Sequence, residues 1–309
     1  MDNPAIFDFL NATLSDGKAA VLVTVISVTG SSMRNPGAHM AVSEDGQYVG
    51  SLSGGCIERS VVSEALDSLK DKRPRVVRFG EGSPYLDIRL PCGGGLDVHF
   101  MPFNDTKLAQ HCKNAIVARK PFSISLLITQ KDTHLSGEAK KLGLTILDDS
   151  ISVSHEPNPK VLLIGHGAAM TSMARLSRQI QFDVEALTSD QSLMISLSDE
   201  RFNVHLLKTP DQVTDIDSDP WTAIVFLFHD HDWEGALMAH ALSQPHFYFG
   251  AMGGRIAHDA RQKELQSRGV DAEVIRSIRA PIGLFHSSRD PDSLALSTLA
   301  EITKAFHQR

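Results

Sequence analysis

Three cysteines, Cys56, Cys92 and Cys112, are too few and too unevenly spaced for a disulfide framework, so reduced thiols in a reducing compartment are expected. No CxxC pair is present, which weakens a structural zinc reading. No stretch is apolar for long enough to span a bilayer, and the first residues, Met1-Asp-Asn-Pro-Ala-Ile-Phe-Asp-Phe-Leu, lack the basic region and unbroken apolar core of a signal peptide. A cytoplasmic location is the expectation. Positive charge is not in excess: 30 basic residues face 37 acidic ones, a formal net charge of −7. That balance argues against a general binder of nucleic acid or anionic membrane, so any anionic ligand must be held locally. No heptad or large apolar stripe demands an oligomer; a homodimer is compatible with the sequence without being specified by it.

What is present is a soluble globular balance, 42% hydrophobic and 22% charged, over 309 residues, enough for two domains. The densest chemistry lies in two adjacent turns, Gly30-Ser-Ser-Met-Arg-Asn-Pro-Gly-Ala-His-Met40 and Gly50-Ser-Leu-Ser-Gly-Gly-Cys-Ile-Glu58. Glycines there let backbone N–H groups converge on a phosphate or another anion, Arg34 adds a bidentate permanent charge, and Cys56 a soft sulfur. A second thiol repeats the pattern in Leu90-Pro-Cys-Gly-Gly-Gly-Leu96.

Apolar spacing predicts a helix over 6–14, a buried strand over 19–28 and a hairpin turning at Glu44-Asp-Gly46. A helix follows from Glu58, close enough to Cys56 for the macrodipole to favour a thiolate. Strands over 75–79 and 97–101 complete an α+β unit, and over 106–149 two helical patterns are expected to flank a strand at 122–129. Glu156-Pro-Asn-Pro159 makes a natural boundary, giving an N-terminal domain with its connecting segment over 1–155 and a second domain over 160–309.

The second domain opens as strand, Gly165-His-Gly-Ala-Ala-Met170, helix, strand, which is a βαβ beginning. Further strands over 223–228 and 247–251 then end in His229-Asp-His-Asp232 and Gly253-Gly-Arg255. The fold class expected is α/β, an N-terminal α+β domain followed by a Rossmann-like domain with a parallel sheet. GxGxxM lacks the third fingerprint glycine, and the second strand ends near Thr188 with Asp190 slightly beyond, which leaves dinucleotide use open. His229 to Asp232 carry metal-ligand chemistry, or else form a polar strand end with Asp232 capping the next helix. Arg59 and Arg255 stand beside glycine turns as further anion partners, and Cys112, in a helix-like run, reads as structural.

The blocks Gly30-Ser-Ser-x-Arg-x-Pro-Gly-Ala-x-Met40 and Gly50 to Glu58, with Phe228 to Asp232, Tyr248 to Arg255 and Ala280-Pro-Ile-Gly-Leu284, resemble the XdhC/CoxI family, accessory factors of molybdenum hydroxylases such as xanthine dehydrogenase. The resemblance covers nearly the whole chain. It departs from the family pattern where Gly165-His-Gly-Ala replaces a GAGH-type turn, at the strand ending in Thr188, and in the loop after Gly283. It implies a chaperone, non-catalytic or quasi-catalytic, that binds molybdenum cofactor as cargo. Such a chaperone assists the cofactor's sulfuration with sulfur from a cysteine desulfurase and inserts it into an apo-molybdenum hydroxylase. Cys56 is then the candidate for sulfuration or molybdenum contact, with Cys92 second. Candidate cofactor contacts in the first domain are Gly30, Ser31, Ser32, Arg34, Gly37, Ser53, Gly54, Gly55, Cys56, Glu58, Gly93 and Gly94. In the second they are Gly165, Gly167, His229, Asp230, His231, Gly253 and Arg255. A ligand held between the two domains is the expected geometry. Two other readings stand beside this one: an NAD(P)-dependent oxidoreductase, on Gly165-x-Gly, and a nucleotidyltransferase acting on the pterin.

Overall fold

The computed structural model describes residues 3–83, 93–128, 134–136, 143–147, 150–228, 231–285 and 289–309, and the chain divides into two compact units, Met1–Pro157 and Asn158–Arg309. The first unit runs α1 (Asn3–Ser15), β1 (Ala20–Thr29), β2 (His39–Ser43), β3 (Tyr48–Val49), α2 (Glu58–Asp71), β4 (Arg75–Gly80), β5 (Gly95–Phe103), α3 (Thr106–Val117), β6 (Phe122–Leu127), β7 (His134–Ser136), β8 (Gly143–Ile146) and β9 (Ser150–His155). Two antiparallel sheets result, in the orders β3-β2-β1-β5-β4 and β7-β6-β9-β8.

The sequence of β1, Ala-Val-Leu-Val-Thr-Val, is apolar at both parities because both faces of the larger sheet are covered. Val21, Val23 and Val25 pack with Val61 and Ala65 of α2, whereas Ala20 and Leu22 join Ile6, Phe7 and Leu10 of α1 and Ile124 and Ile151 of the smaller sheet. Burying each of the Val, Leu, Ile and Phe side chains contributes about 1.5–3 kcal/mol, so this double-sided core fixes the sheet that carries the glycine turns. Cys112, on α3, is fully buried in the same core, and burial pushes its thiol up to about 12.

The second helical pattern expected within 106–149 is not found among the described residues, where 134–136 and 143–146 form β7 and β8; residues 129–133, 137–142 and 148–149 lie outside the described residues. Leu144, Thr145 and Ile146 lie opposite Val153, Ser152 and Ile151 of β9, with Leu144 packed inward. Pairing with a strand from further along the chain overrides a local helical spacing.

The second unit runs β10 (Lys160–Gly165), α4 (Ala168–Gln179), β11 (Asp183–Thr188), α5 (Gln191–Asp199), β12 (Asn203–Leu206), β13 (Thr222–Leu227), α6 (Gly235–Ser243), β14 (Tyr248–Ala251), α7 (Arg255–Ser267), α8 (Ala272–Arg276) and α9 (Pro291–His307). Its sheet, β12-β11-β10-β13-β14, is parallel throughout. Strands β10 and β13 are buried at every residue because helices cover both faces, the doubly wound Rossmann-like arrangement. Asp290 caps α9 by accepting from the Ser293 N–H at 2.8 Å, with Pro291 in the first turn. The helix expected from Trp233 begins at Gly235 instead: a 3-10 turn over His231–Trp233 intervenes, and Glu234 rather than Asp232 takes the N-cap position.

Candidate functional site

The turn from Gly50 to Glu58 is organised around the Glu58 carboxylate, which is buried at the first position of α2. Its Oε1 accepts from Ser51 Oγ at 2.7 Å, Leu52 N at 3.0 Å and Ser53 N at 2.9 Å. Its Oε2 accepts from Ser53 Oγ at 2.7 Å, Gly55 N at 2.9 Å and Ile57 N at 3.2 Å. Burial alone would raise this carboxyl, but the serine hydroxyls and backbone N–H groups outweigh it and hold it at about 2, so it is ionised at neutral pH. The N–H groups expected to converge on a ligand anion therefore converge on a protein carboxylate. Gly54 and Gly55 take φ of 77° and 115°, a left-handed pair that lets the chain wrap around it. Cys56 is exposed, one residue before the Ile57 N-cap.

The Gly30 to Met40 loop lies against both other turns. A Cβ on Gly94 would lie 2.5 Å from the Ser31 carbonyl oxygen, and one on Gly54 would lie 3.1 Å from Met33 Sδ. Gly93–Gly94 thus abut Gly30–Ser31, and the Gly30 to Met40 loop leans on the Cys56 turn through Met33, whose side chain is otherwise exposed. Within that loop Ser32 Oγ donates to the Arg34 carbonyl at 2.9 Å and accepts from the Arg34 N–H at 3.1 Å, leaving the Arg34 side chain half-buried. Gly37 lies where the loop rejoins the sheet, its N–H bonded to the Val25 carbonyl at 2.7 Å.

Residues that sequence reasoning missed hold these turns in place. Arg78, on β4, donates from Nη1 to both Asp97 oxygens, at 3.1 and 3.0 Å, from Nη2 to Thr29 Oγ1 at 3.1 Å and from Nε to the Glu81 carbonyl at 2.7 Å. It ties the last residue of β1 to the strand that leaves Gly94. Behind the Gly30 to Met40 loop, His39 and His155 are buried with Nε2 atoms 3.3 Å apart, enclosed by Phe7 and Phe122, and His39 Nδ1 meets Thr24 Oγ1 at 2.9 Å. His99 is buried with Nε2 against the Leu127 carbonyl at 3.2 Å. Burial lowers all three histidines, His39 and His99 to about 4, and the Arg34 charge adds to the effect on His39. They pin the smaller sheet against the larger as neutral imidazoles. The only sequence signal for them was their position in apolar strands.

In the second unit Gly165, Gly167 and Gly253 share the C-terminal edge of the parallel sheet. A Cβ on Gly165 would meet the Leu227 backbone at 2.6 Å. Gly167 is the N-cap of α4 and Arg255, exposed, is the first residue of α7. Asp190 uses Oδ1 to cap α5, accepting from the N–H groups of Ser192 at 2.9 Å and Leu193 at 3.1 Å. His231 begins the 3-10 turn after β13; Cys92, His229 and Asp230 lie outside the described residues. Among the described residues no three of His, Cys, Asp and Glu are placed to share a metal ion, and no helix is long and apolar enough to cross a membrane. A cavity of about 690 Å³, floored by Leu66, Leu69, Met101 and Phe103, belongs to the other end of the larger sheet and not to the glycine turns.

Two family models match the chain: the one described as XdhC and CoxI family over residues 13–80, and the one described as XdhC Rossmann domain over residues 161–302. The molybdenum cofactor insertion chaperone PaoD of Escherichia coli K12 is 31% identical over 308 residues, covering 99% of this chain and 90% of that protein. A protein of Bacillus subtilis described as a probable xanthine dehydrogenase component is 24% identical over 320 residues, covering 95% of each. A solved structure from Bacillus halodurans, described as a xanthine dehydrogenase, shares the fold with a TM-score of 0.80 at 20% identity, over 100% of this chain and 97% of that one.

Proposed function

The chain belongs to the XdhC and CoxI family, and from that premise we propose that it is a chaperone that carries molybdenum cofactor to a molybdenum hydroxylase of the xanthine dehydrogenase type. The observation that carries the reading is the convergence, in one unit, of the Gly30 to Met40 loop, the Gly93–Gly94 pair and a closed turn presenting the exposed Cys56 thiol. The cargo is a pterin with a terminal phosphate and a dithiolene-held metal, so its carrier needs an anion partner, room for a flat ring and a soft donor. Arg34 offers the first and Cys56 the last. Sulfuration of the cargo by way of Cys56, in the cytoplasm with a cysteine desulfurase as sulfur source and with the chain acting as a monomer or homodimer, is the finer form of the proposal. A desulfurase would load Cys56 as a persulfide; two electrons from a thiol reductant, which leaves as its disulfide, would release the outer sulfur as hydrogen sulfide, and exchange of the terminal oxo for that sulfide is redox-neutral, the oxo leaving as water. Cys92, His229, Asp230, His231 and the second unit's glycine turns are secondary candidates for contact.

The test is purification of the full chain from a molybdenum-sufficient host, with released pterin read by its oxidised fluorescence and molybdenum by elemental analysis. The wild type should carry both. Cys56→Ala, exposed and outside the core, should fold normally and retain about tenfold less, equivalent to ~1.4 kcal/mol. Equal retention and equal transfer by the variant would remove Cys56 from the assignment, and a wild type without pterin or molybdenum would remove the cargo.

A further inference from the structure

Six consecutive backbone N–H groups, from Leu52 to Ile57, are all bonded within the Gly50 to Glu58 turn. Leu52, Ser53, Gly55 and Ile57 donate to the Glu58 carboxylate. Gly54 donates to Ser51 Oγ at 2.9 Å, and Cys56 and Ile57 donate to Ser53 Oγ, each at 3.0 Å. Both serine hydroxyls in turn donate to Glu58. A loop that receives phosphate keeps its N–H groups directed at open space; here they are consumed by an internal anion. A second anion at the same place would meet no free backbone donor from Leu52 to Ile57 and would face the charge already there.

We propose that Glu58 is a positioning residue, the carboxylate that locks this turn from within, so that the turn meets its cargo through the Cys56 sulfur and leaves the cargo's phosphate to other groups. The inference rests on the cargo proposed above and orients it: the metal end faces the Cys56 turn. Glu58 does not touch the cargo. It acts through the backbone that carries the thiol, which is why its two serine partners, Ser51 and Ser53, flank Leu52 at the start of the turn.

Glu58→Gln in the full chain tests this, since glutamine keeps the size but places an NH2 group among donors that now reach an acceptor. Amide hydrogen exchange of the 50–58 segment should accelerate by about tenfold or more, while the β1 and β5 segments keep their protection. Retained cofactor should fall about as far as in Cys56→Ala, and Glu58→Gln combined with Cys56→Ala should lose no more than Cys56→Ala alone. Millimolar inorganic phosphate should leave exchange of the wild-type turn unchanged. Unaltered exchange in Glu58→Gln, losses that multiply in the double variant, or slowing of the wild-type turn by phosphate would each overturn the proposal. Should Glu58→Gln not fold, Ser53→Ala, which removes the hydroxyl linking Cys56 and Ile57 to the carboxylate, carries the same expectations. A wild type that holds no cofactor would overturn the cargo reading, and the exchange and phosphate measurements would still decide whether Glu58 closes the turn.

Discussion

Lowering the pH from 7 to 5 should selectively destabilise the first unit, because that unit is pinned by buried neutral histidines. An ordinary histidine titrates at 6.5, and His39 and His99 are held at about 4 by burial. A group lowered on folding binds its proton more readily in the unfolded chain, so its contribution to stability is complete above 6.5 and is lost as the pH falls toward 4. At about 1.4 kcal/mol per pH unit, each of the two histidines forfeits about 2 kcal/mol by pH 5, about 4 kcal/mol together, against a whole-domain stability of roughly 5–15 kcal/mol. His155, lowered in the same direction by burial and then by the facing His39, adds to the loss. Glu58, held at about 2, contributes nothing in this window: its stabilisation is present above the ordinary carboxyl range and disappears only at lower pH. Both tryptophans, Trp221 and Trp233, lie in the second unit, so urea unfolding can be followed by their fluorescence as an internal control and by circular dichroism for both units. The dichroism transition should move to lower urea at pH 5 while the fluorescence transition moves much less. His99→Gln, which can still donate to the Leu127 carbonyl, should remove about half of the 4 kcal/mol pH dependence while costing about 1 kcal/mol at pH 7. A wild-type dichroism midpoint that is equal at pH 7 and 5, or a full pH dependence surviving in His99→Gln, would refute the reasoning.

Two substitutions probe the supports of each unit. Gly94→Ala places a Cβ 2.5 Å from the Ser31 oxygen and 2.7 Å from the Thr29 oxygen, both backbone, and should cost about 1–3 kcal/mol, read by dichroism and not by fluorescence; wild-type stability would mean that the turns do not pack as described. Arg261→Met removes the guanidinium from Glu234, a pair whose side chains are 1% and 3% exposed, and should cost about 3–5 kcal/mol in the fluorescence transition. Adding Glu234→Leu should recover much of that loss, and failure to recover would place the role of the pair elsewhere than in mutual charge compensation.

Legibility in the sequence followed the range of the interaction. Strands β10 and β13 could be read directly, since a short apolar run ended by glycine or a polar cluster is a local signal and the alternation with helices implies a parallel sheet. The cap on α9 is equally local, with Asp290, Pro291 and Ser293 all within one turn. The smaller sheet was not legible: β8 is defined by its partner β9, and nothing within residues 143–146 distinguishes a strand from one turn of helix. His39 and His155 are 116 residues apart in sequence, so no local spacing could have paired them.

At the candidate site the same rule separates where the chemistry lies from how it is arranged. Glycine, arginine and thiol in adjacent turns make this the candidate site, but glycine-rich backbone is compatible with two opposite electrostatic states, an open cradle awaiting an anion and a cradle already filled. The residues that decide between them are Ser51, Ser53 and Glu58, two hydroxyls and a first-turn carboxylate, a spacing akin to a capping box stretched by two glycines. A glycine turn that ends in an acidic residue at the start of a helix is therefore weaker evidence for a phosphate site than the glycines alone suggest, because the chain supplies its own anion. The same closure leaves the Cys56 side chain exposed beside a backbone bonded to Glu58, which is why the proposed cargo contact is assigned to the thiol and not to the N–H groups of Leu52 to Ile57.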